Sequence, residues 1–211
     1  MGKIHIDLFS TLDGRAQAPG GPDEDPEGGF AYGGWMAQFF DSAVDVSINR
    51  SMEEFDALLL GRKTYAIFAD FWPHQEAGIN GEVARMFNRI PKYVASRSKP
   101  DFSWNNSVLL GPDLPSEMAR IKQQHEHIRV IGSLDFVQTL LANRFFDTIS
   151  LWVFPLTLGT GKPVFGTGTI PANLTLLAPP LAGPKGGVLL RYGRADGEPT
   201  SGDMSEVVLE G

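Results

Sequence analysis

Ile4, Ile6 and Leu8 alternate with His5, Asp7 and Phe9, a pattern that predicts an opening strand with one apolar face. It runs into a turn at Ser10-Thr11-Leu12-Asp13-Gly14, and the stretch from Pro19 to Gly34 is a Gly/Pro-rich loop. Helical spacing follows at Trp35 to Ser42 and Met52 to Phe55, with Trp35, Phe39 and Phe40 on an apolar side. Ala57 to Leu60 is an unbroken apolar run closed by Gly61, the signature of a strand buried on both faces. A helix over Lys63–Phe71 stops before Pro73, and Tyr93–Ala95 and Val108–Leu110 are short strands. Leu114 to His127 has helical spacing behind an Asp113 cap. Ile128–Ile131 is a strand and Leu134–Ala142 a helix. Thr148–Phe154 is a strand that leads into a glycine-rich loop reaching Ile170. Leu174–Leu177 and Val188–Tyr192 close the pattern as strands, followed by a polar tail. Strands alternating with helices, then strands alone, predict an α/β fold with a mainly parallel sheet and an antiparallel edge.

Composition narrows the chemistry. The 211 residues suit one domain, taken as 1–195 with a polar tail over 196–211. With 18 Lys+Arg against 25 Asp+Glu the net charge is -7, so no basic footprint for nucleic acid or an anionic membrane is present. Cysteine is absent, which excludes disulfides, thiol nucleophiles and Cys-ligated metal. His125-x-His127 reads as a solvated helix end whose two rings point apart, and no metal site is expected. The opening residues carry no signal-like apolar run, and Ile149–Leu158 is broken by Pro155 and falls short of the ~20 residues of a spanning helix. The default compartment is cytoplasmic.

Three strand ends carry groups that suit an anion. Gly61-Arg62-Lys63-Thr64 puts a glycine, two cations and a hydroxyl where a helix begins, and free N–H groups at a helix start attract phosphate. Ile131-Gly132-Ser133-Leu134 repeats the arrangement, with Ser133 placed to cap a helix. Ser96-Arg97-Ser98 sets an arginine fork between hydroxyls, which suits a phosphate monoester. Each turn read alone is equally an ordinary βα connection. Together they fall at the carboxyl edge of a parallel sheet, where such folds bind ligands. The acidic run Asp23-Glu24-Asp25 lies in the loop, elsewhere in sequence from these cations, and reads as solvated.

These residues, with Ser10-x-x-Asp13-Gly14, Pro91-Lys92-Tyr93-Val94-Ala95-Ser96-Arg97 and Pro155-x-x-Leu158-Gly159-x-Gly161-Lys162-Pro163-x-Phe165, resemble the dihydrofolate-reductase-like superfamily. Within it the chain is most similar to the reductase domain of bacterial riboflavin-biosynthesis deaminase-reductases and their stand-alone relatives. The resemblance implies a three-layer α/β/α fold with a mixed, mainly parallel sheet, NADPH as cofactor, reduction of a pyrimidine or pterin, and a homodimer. It implies that Gly61, Arg62, Lys63 and Thr64 meet cofactor phosphates and that Ser96, Arg97 and Ser98 hold the adenosine end with its 2′-phosphate. Gly132, Ser133 and Leu134 would place the pyrophosphate, with Thr11 and Asp13 near the nicotinamide. The zinc-binding residues of the deaminase half are absent, so deamination is not expected.

Proton delivery to a C=N nitrogen needs an acid, which the resemblance puts on the first helix. Asp41 is the candidate and Asp45 the next, and an apolar cleft would raise such a carboxyl's pKa. Trp35, Phe39, Tyr65 and Phe68 could wall the substrate ring or pack the core. The rival reading is a dimeric module that binds NADP without catalysis.

Overall fold

Leu58, Leu59 and Leu60 are each 0% exposed because both faces of their strand are covered. Leu59 packs with the helices on one face, while Leu58 and Leu60 join a cluster with Tyr65 and Phe87 on the other. The computed structural model describes residues 1–206 apart from 53 and 79.

The strands are β1 (Lys3–Thr11), β2 (Ala57–Gly61), β3 (Lys92–Ala95), β4 (Ser107–Leu109), β5 (His127–Val130), β6 (Thr148–Phe154), β7 (Leu174–Leu176), β8 (Leu181–Ala182) and β9 (Val188–Arg194). They form one sheet of order β4-β3-β2-β5-β1-β6-β9-β7, with β8 paired to β9. Every pairing from β4 to β6 is parallel, and β9 closes antiparallel on β6. The helices are α1 (Ser42–Met52), α2 (Arg62–Phe71), α3 (Gly81–Arg89), α4 (Leu114–Gln124) and α5 (Leu134–Ala142). Helices α4 and α5 cover one face through Met118, Ile121, Val137 and Leu140, and α1, α2 and α3 cover the other. The mainly parallel sheet with an antiparallel edge is what the sequence pattern predicts, and the three-layer α/β/α arrangement is what the resemblance implies.

Several local expectations are corrected. The first helix begins at Ser42, where the sequence pattern would end it, and residues 35–40 supply only a single short turn at Ala37–Phe39. Helix α3 was not expected, although Val83, Met86, Phe87 and Ile90 carry its spacing and face the core. His125 and His127 are not a solvated helix end. Helix α4 stops at Gln124, His125 Nε2 lies 2.8 Å from the Tyr93 hydroxyl, and His127 opens β5. Strand β9 continues to Arg194, and the tail is pinned there by an Arg144–Glu198 ion pair at 2.7 Å, while residues 207–211 lie outside the described ones.

The polar face of β1 is also not solvent-facing, since α1 lies across it. Asp7 and Arg129 meet beneath that helix at 3.2 Å, with side chains only 15% and 5% exposed. The approach is off the line of a hydrogen bond, so Asp7 Oδ2 and Arg129 Nε are buried without a hydrogen-bonding partner. The guanidinium donates instead to Ser51 Oγ at 3.1 Å and stacks 4.7 Å above the Phe55 ring. Among the described residues no helix is long and apolar enough to cross a membrane, and no cluster of three metal-ligating side chains occurs.

Candidate functional site

The parallel pairing puts the carboxyl ends of β1, β2, β3 and β5 on one edge of the sheet. Two of the turns there interlock. Gly61 N–H donates to Gly132 O at 2.9 Å, and a Cβ on Gly61 would stand 2.2 Å from Ser133 Oγ and 2.8 Å from Ser133 N. Gly132 has φ +153, and a Cβ on it would lie 2.5 Å from Thr64 Oγ1. Each glycine therefore lets one turn lie against the other.

A cleft of about 240 Å³ opens beside this junction. Its polar lining includes Lys63, Thr64, Gly132, Ser133, Asp135 and Lys162, and Phe9, Met36, Phe68 and Trp72 give it apolar walls. Ser133 makes no side-chain cap bond, contrary to expectation, so the first-turn N–H groups of α5 are left uncapped where Ser133 and Leu134 line the cleft. Uncapped N–H groups and the positive end of the helix dipole suit an anion.

The acidic loop is not elsewhere in space. It folds onto the cations. Glu27 pairs with Lys63, and Lys162 Nζ lies 2.5 Å from both Glu27 Oε2 and Asp25 Oδ2. Buried Gln17 holds the loop there, donating at 2.9 Å to the carbonyls of Asp25 and Glu27 while accepting from Lys162 N–H. Bonds from Lys162 and then Lys63 hold the Glu27 carboxyl down to about 2. Burial works against the Lys162 charge, but Asp25 and Glu27 outweigh it and raise the ammonium pKa. Lys162 belongs to this cluster although the sequence reading gave it no role. A lone lysine in a glycine-rich loop after a strand was the available signal.

Glu24 was missed as well. It lines the cleft, and its Oε2 accepts from the N–H groups of Gly20 and Gly21 at 2.6 and 3.1 Å. Burial raises its pKa, against the two backbone bonds that favour the charge.

The remaining candidates are distributed differently. Asp41 caps α1, accepting from Ala43 N–H and Val44 N–H at 3.0 Å each and from Lys185 N–H at 3.0 Å. Those bonds, Val44's foremost, lower its pKa, and it lies outside the cleft lining, so the expected carboxyl in an apolar cleft is not found at Asp41. Asp45 is exposed and bonded to Asn49. Thr11 and Asp13 also lie outside the lining. The Thr11 hydroxyl donates to Asp13 Oδ1 at 2.5 Å, and Asp13 Oδ2 accepts from Gly159 N–H at 2.7 Å, which ties β1 to the glycine-rich loop. The Thr11 bond, with help from Gly159, holds Asp13 down to about 2.

Of the four aromatic candidates only Phe68 lines the cleft. Trp35 and Phe39 pack on Phe154, and Tyr65 packs on Phe102 and Trp104. Arg62 is exposed and not part of the lining. Ser96, Arg97 and Ser98 stand at the end of β3, one strand beyond β2, with Arg97 exposed and Ser98 N–H donating to Ser96 Oγ at 3.2 Å.

A sequence profile described as the RibD C-terminal domain matches residues 2–179. Among solved structures, a Shewanella sp. PV-4 protein assigned provisionally to riboflavin biosynthesis superposes with a TM-score of 0.68 at 19% identity, covering 92% of this chain and 99% of that one. A Thermotoga maritima diaminohydroxyphosphoribosylaminopyrimidine deaminase/5-amino-6-(5-phosphoribosylamino)uracil reductase gives 0.60 at 14% identity, covering 92% of this chain and 57% of that one. Dihydrofolate reductase from Enterococcus faecalis complexed with NADP(H) gives 0.56 at 14% identity, covering 92% and 98%. At these identities the superpositions establish a shared fold.

Proposed function

Given that the chain belongs to the RibD C-terminal domain family, we propose that it is an NADPH-dependent reductase of a pyrimidine or pterin ring. The observation that carries this is the cleft at the carboxyl edge of the sheet, where Lys63, Lys162 and the uncapped start of α5 converge. A dinucleotide suits that edge: Gly61 and Gly132 let the two turns pack together beside the cleft, and N–H groups are left at a helix start. Lys63, Thr64, Gly132, Ser133 and Leu134 would hold the pyrophosphate, and Ser96, Arg97 and Ser98 the adenosine phosphate. When bound, the reduced nicotinamide supplies a hydride. The chain's own part is to orient a flat ring between Phe9, Phe68 and Trp72 and to keep water from the reacting atoms.

Asp25 and Glu27 already neutralise Lys63 and Lys162, so an anionic ligand competes with the loop for both ammonium groups. Arg97 is different, because it forms no ion pair among the described residues. It is the group from which a preference for NADPH over NADH would come. An arginine–phosphate hydrogen bond contributes about 1.5–3 kcal/mol, so NADPH should bind roughly ten- to a hundredfold tighter than NADH. Titration calorimetry on the parent and on Arg97→Ala tests this. The variant should lose most of the preference and keep its NADH affinity, whereas equal affinities in the parent would remove the role from Arg97.

The antiparallel edge carries exposed Leu174, Leu176, Leu177 and Leu181, and this apolar strip supports a second copy of the chain as the partner there.

A further inference from the structure

Helix α1 and the sheet beneath it face each other with polar side chains. Alternate residues of a strand share a face, and the pairing sets them in rows across the sheet. Arg129, His5 and Thr148 are register partners in one row, and Asp7, Ser150 and Arg191 make the next. Phe9, Trp152 and Leu189 form the row after that. On α1, Val44, Ser47, Ile48 and Ser51 have the i, i+3, i+4, i+7 spacing of a sheet-facing side. Val44 is fully buried, but two serines stand where a closed core would carry apolar residues.

The two polar surfaces do not close on each other. A cavity of about 240 Å³ remains between them, lined by Ser47, Ile48 and Ser51 from the helix and by residues of all three rows. That is just below the ~300–1,000 Å³ of ordinary small-molecule pockets, so a guest must be small. The charged lining is Arg50, Arg129 and Arg191 against Asp7 and Glu54, one positive charge in excess in a chain whose net charge is -7. His5 adds none, because burial, foremost, holds its pKa below the ordinary value. Asp7 is taken up by Arg129 at 3.2 Å, and that guanidinium is 5% exposed. Arg50 and Arg191 are exposed and form no ion pair among the described residues. The Thr148 hydroxyl is engaged with His5 at 2.7 Å and Ser51 Oγ accepts from Arg129 at 3.1 Å, whereas Ser47 and Ser150 have no hydrogen-bonding partner among the described residues. Phe9, Phe55, Trp152 and Leu189 give the same cavity an apolar side.

We propose that this cavity binds a small carboxylate with a flat apolar body, its anionic end on Arg191, Arg50 and the Ser150 hydroxyl and its body against Trp152 and Leu189. A carboxylate carries the one negative charge that the lining lacks, and the guanidinium fork matches its two oxygens. A phosphate monoester would bring a second negative charge towards Asp7 and Glu54. The cavity shares Leu8 and Phe9 with the cleft at the carboxyl edge, but Lys63, Thr64, Gly132, Ser133 and Lys162 do not line it. The site goes beyond the reductase reading and does not depend on it.

The test is a titration of the full chain with benzoate, followed by NMR of the Trp152 indole N–H, with Trp152→Phe to identify the resonance. The resonance should shift saturably. Arg191→Gln should weaken binding about tenfold or more, the scale of a lost charge-assisted hydrogen bond, and Arg50→Gln and Ser150→Ala should each weaken it by a smaller factor. Arg191 and Arg50 are exposed, so both glutamine variants should melt with the parent. Lys63→Met, which alters the cleft alone, should leave benzoate affinity within about twofold. A Trp152 resonance that does not move, or benzoate affinity unchanged in both arginine variants, overturns the site. Loss of binding in Lys63→Met instead would place the anion in the cleft and overturn it as well. Inorganic phosphate binding as tightly as benzoate would overturn the carboxylate assignment. None of these outcomes bears on whether the protein oxidises NADPH.

Discussion

Gly61→Ala is expected to cost about 3 kcal/mol of stability, the upper part of the range for an inserted methyl that the surroundings cannot absorb. Its φ of -75 is one that alanine adopts freely, so the cost comes from space rather than backbone conformation. The new methyl would stand 2.8 Å from Ser133 N and 2.9 Å from Phe136 Cβ, at the start of a helix whose Val137 and Leu140 are fully buried. Ser133 Oγ, at 2.2 Å, could rotate away, but the backbone nitrogen cannot. The α5 turn must then move from β2, and the Gly61–Gly132 hydrogen bond goes with it. For a domain of this size the melting temperature should fall by about 6–12 °C, and NADPH affinity should drop in the protein that remains folded. Gly202, with nothing within 4 Å of an added Cβ, is the control, and Gly202→Ala should melt with the parent. A Gly61→Ala protein that matched the parent in both melting and NADPH binding would show that the two turns do not depend on this contact.

Asp7→Ala is the second large effect. It removes the only carboxylate in ion-pair contact with Arg129 among the described residues, leaving a guanidinium whose residue is 4% exposed. Burial already pushes the Arg129 pKa down, with Asp7 opposing the shift. Breaking a buried pair from one side costs about 3–5 kcal/mol, because the remaining charge has neither water nor a counter-ion. Replacing both partners with apolar residues of similar size, Asp7→Leu with Arg129→Met, should recover most of that loss. Urea unfolding of the single and double variants reads both values. A single variant within about 1 kcal/mol of the parent would mean that Ser51 and the Phe55 ring satisfy Arg129 without Asp7.

The Asp7–Arg129 pair also marks a limit of reading sequence alone. Alternation along β1 told correctly that Ile4, Ile6 and Leu8 share a core, but a polar alternate face looks the same whether water or a helix covers it. Buried strands and the α5 boundaries were legible because their signals are local: an apolar run closed by glycine, and a helix following Gly132-Ser133. The start of α1 was not, because Trp35 and Phe39 are spaced like a helix face but pack on Phe154 from outside the helix, which Asp41 caps only afterwards through Ala43 N–H and Val44 N–H. The cleft was half legible. Lys63, Thr64, Gly132, Ser133 and Leu134 from the strand ends line it, with Phe68 from the aromatic candidates, while Gly61, Arg62 and Ser96–Ser98 do not. Glu24, Asp25 and Lys162 entered only when the loop closed over the sheet edge, through contacts such as Lys162–Asp25 and Lys162–Gln17 between distant segments. The aromatic candidates divided on the same ground: Trp35 donates from Nε1 to Gln17 O at 2.8 Å and is spent on the core, while Phe68 reaches the cleft.

The central claim is tested most directly by following NADPH oxidation by the purified protein against a panel of pyrimidine, pterin and simple carbonyl acceptors. The account predicts that at least one pyrimidine or pterin is reduced, with one NADPH consumed for each ring reduced. Tight NADPH binding with no oxidation against any member of the panel would contradict it and leave a module that binds the dinucleotide without using it.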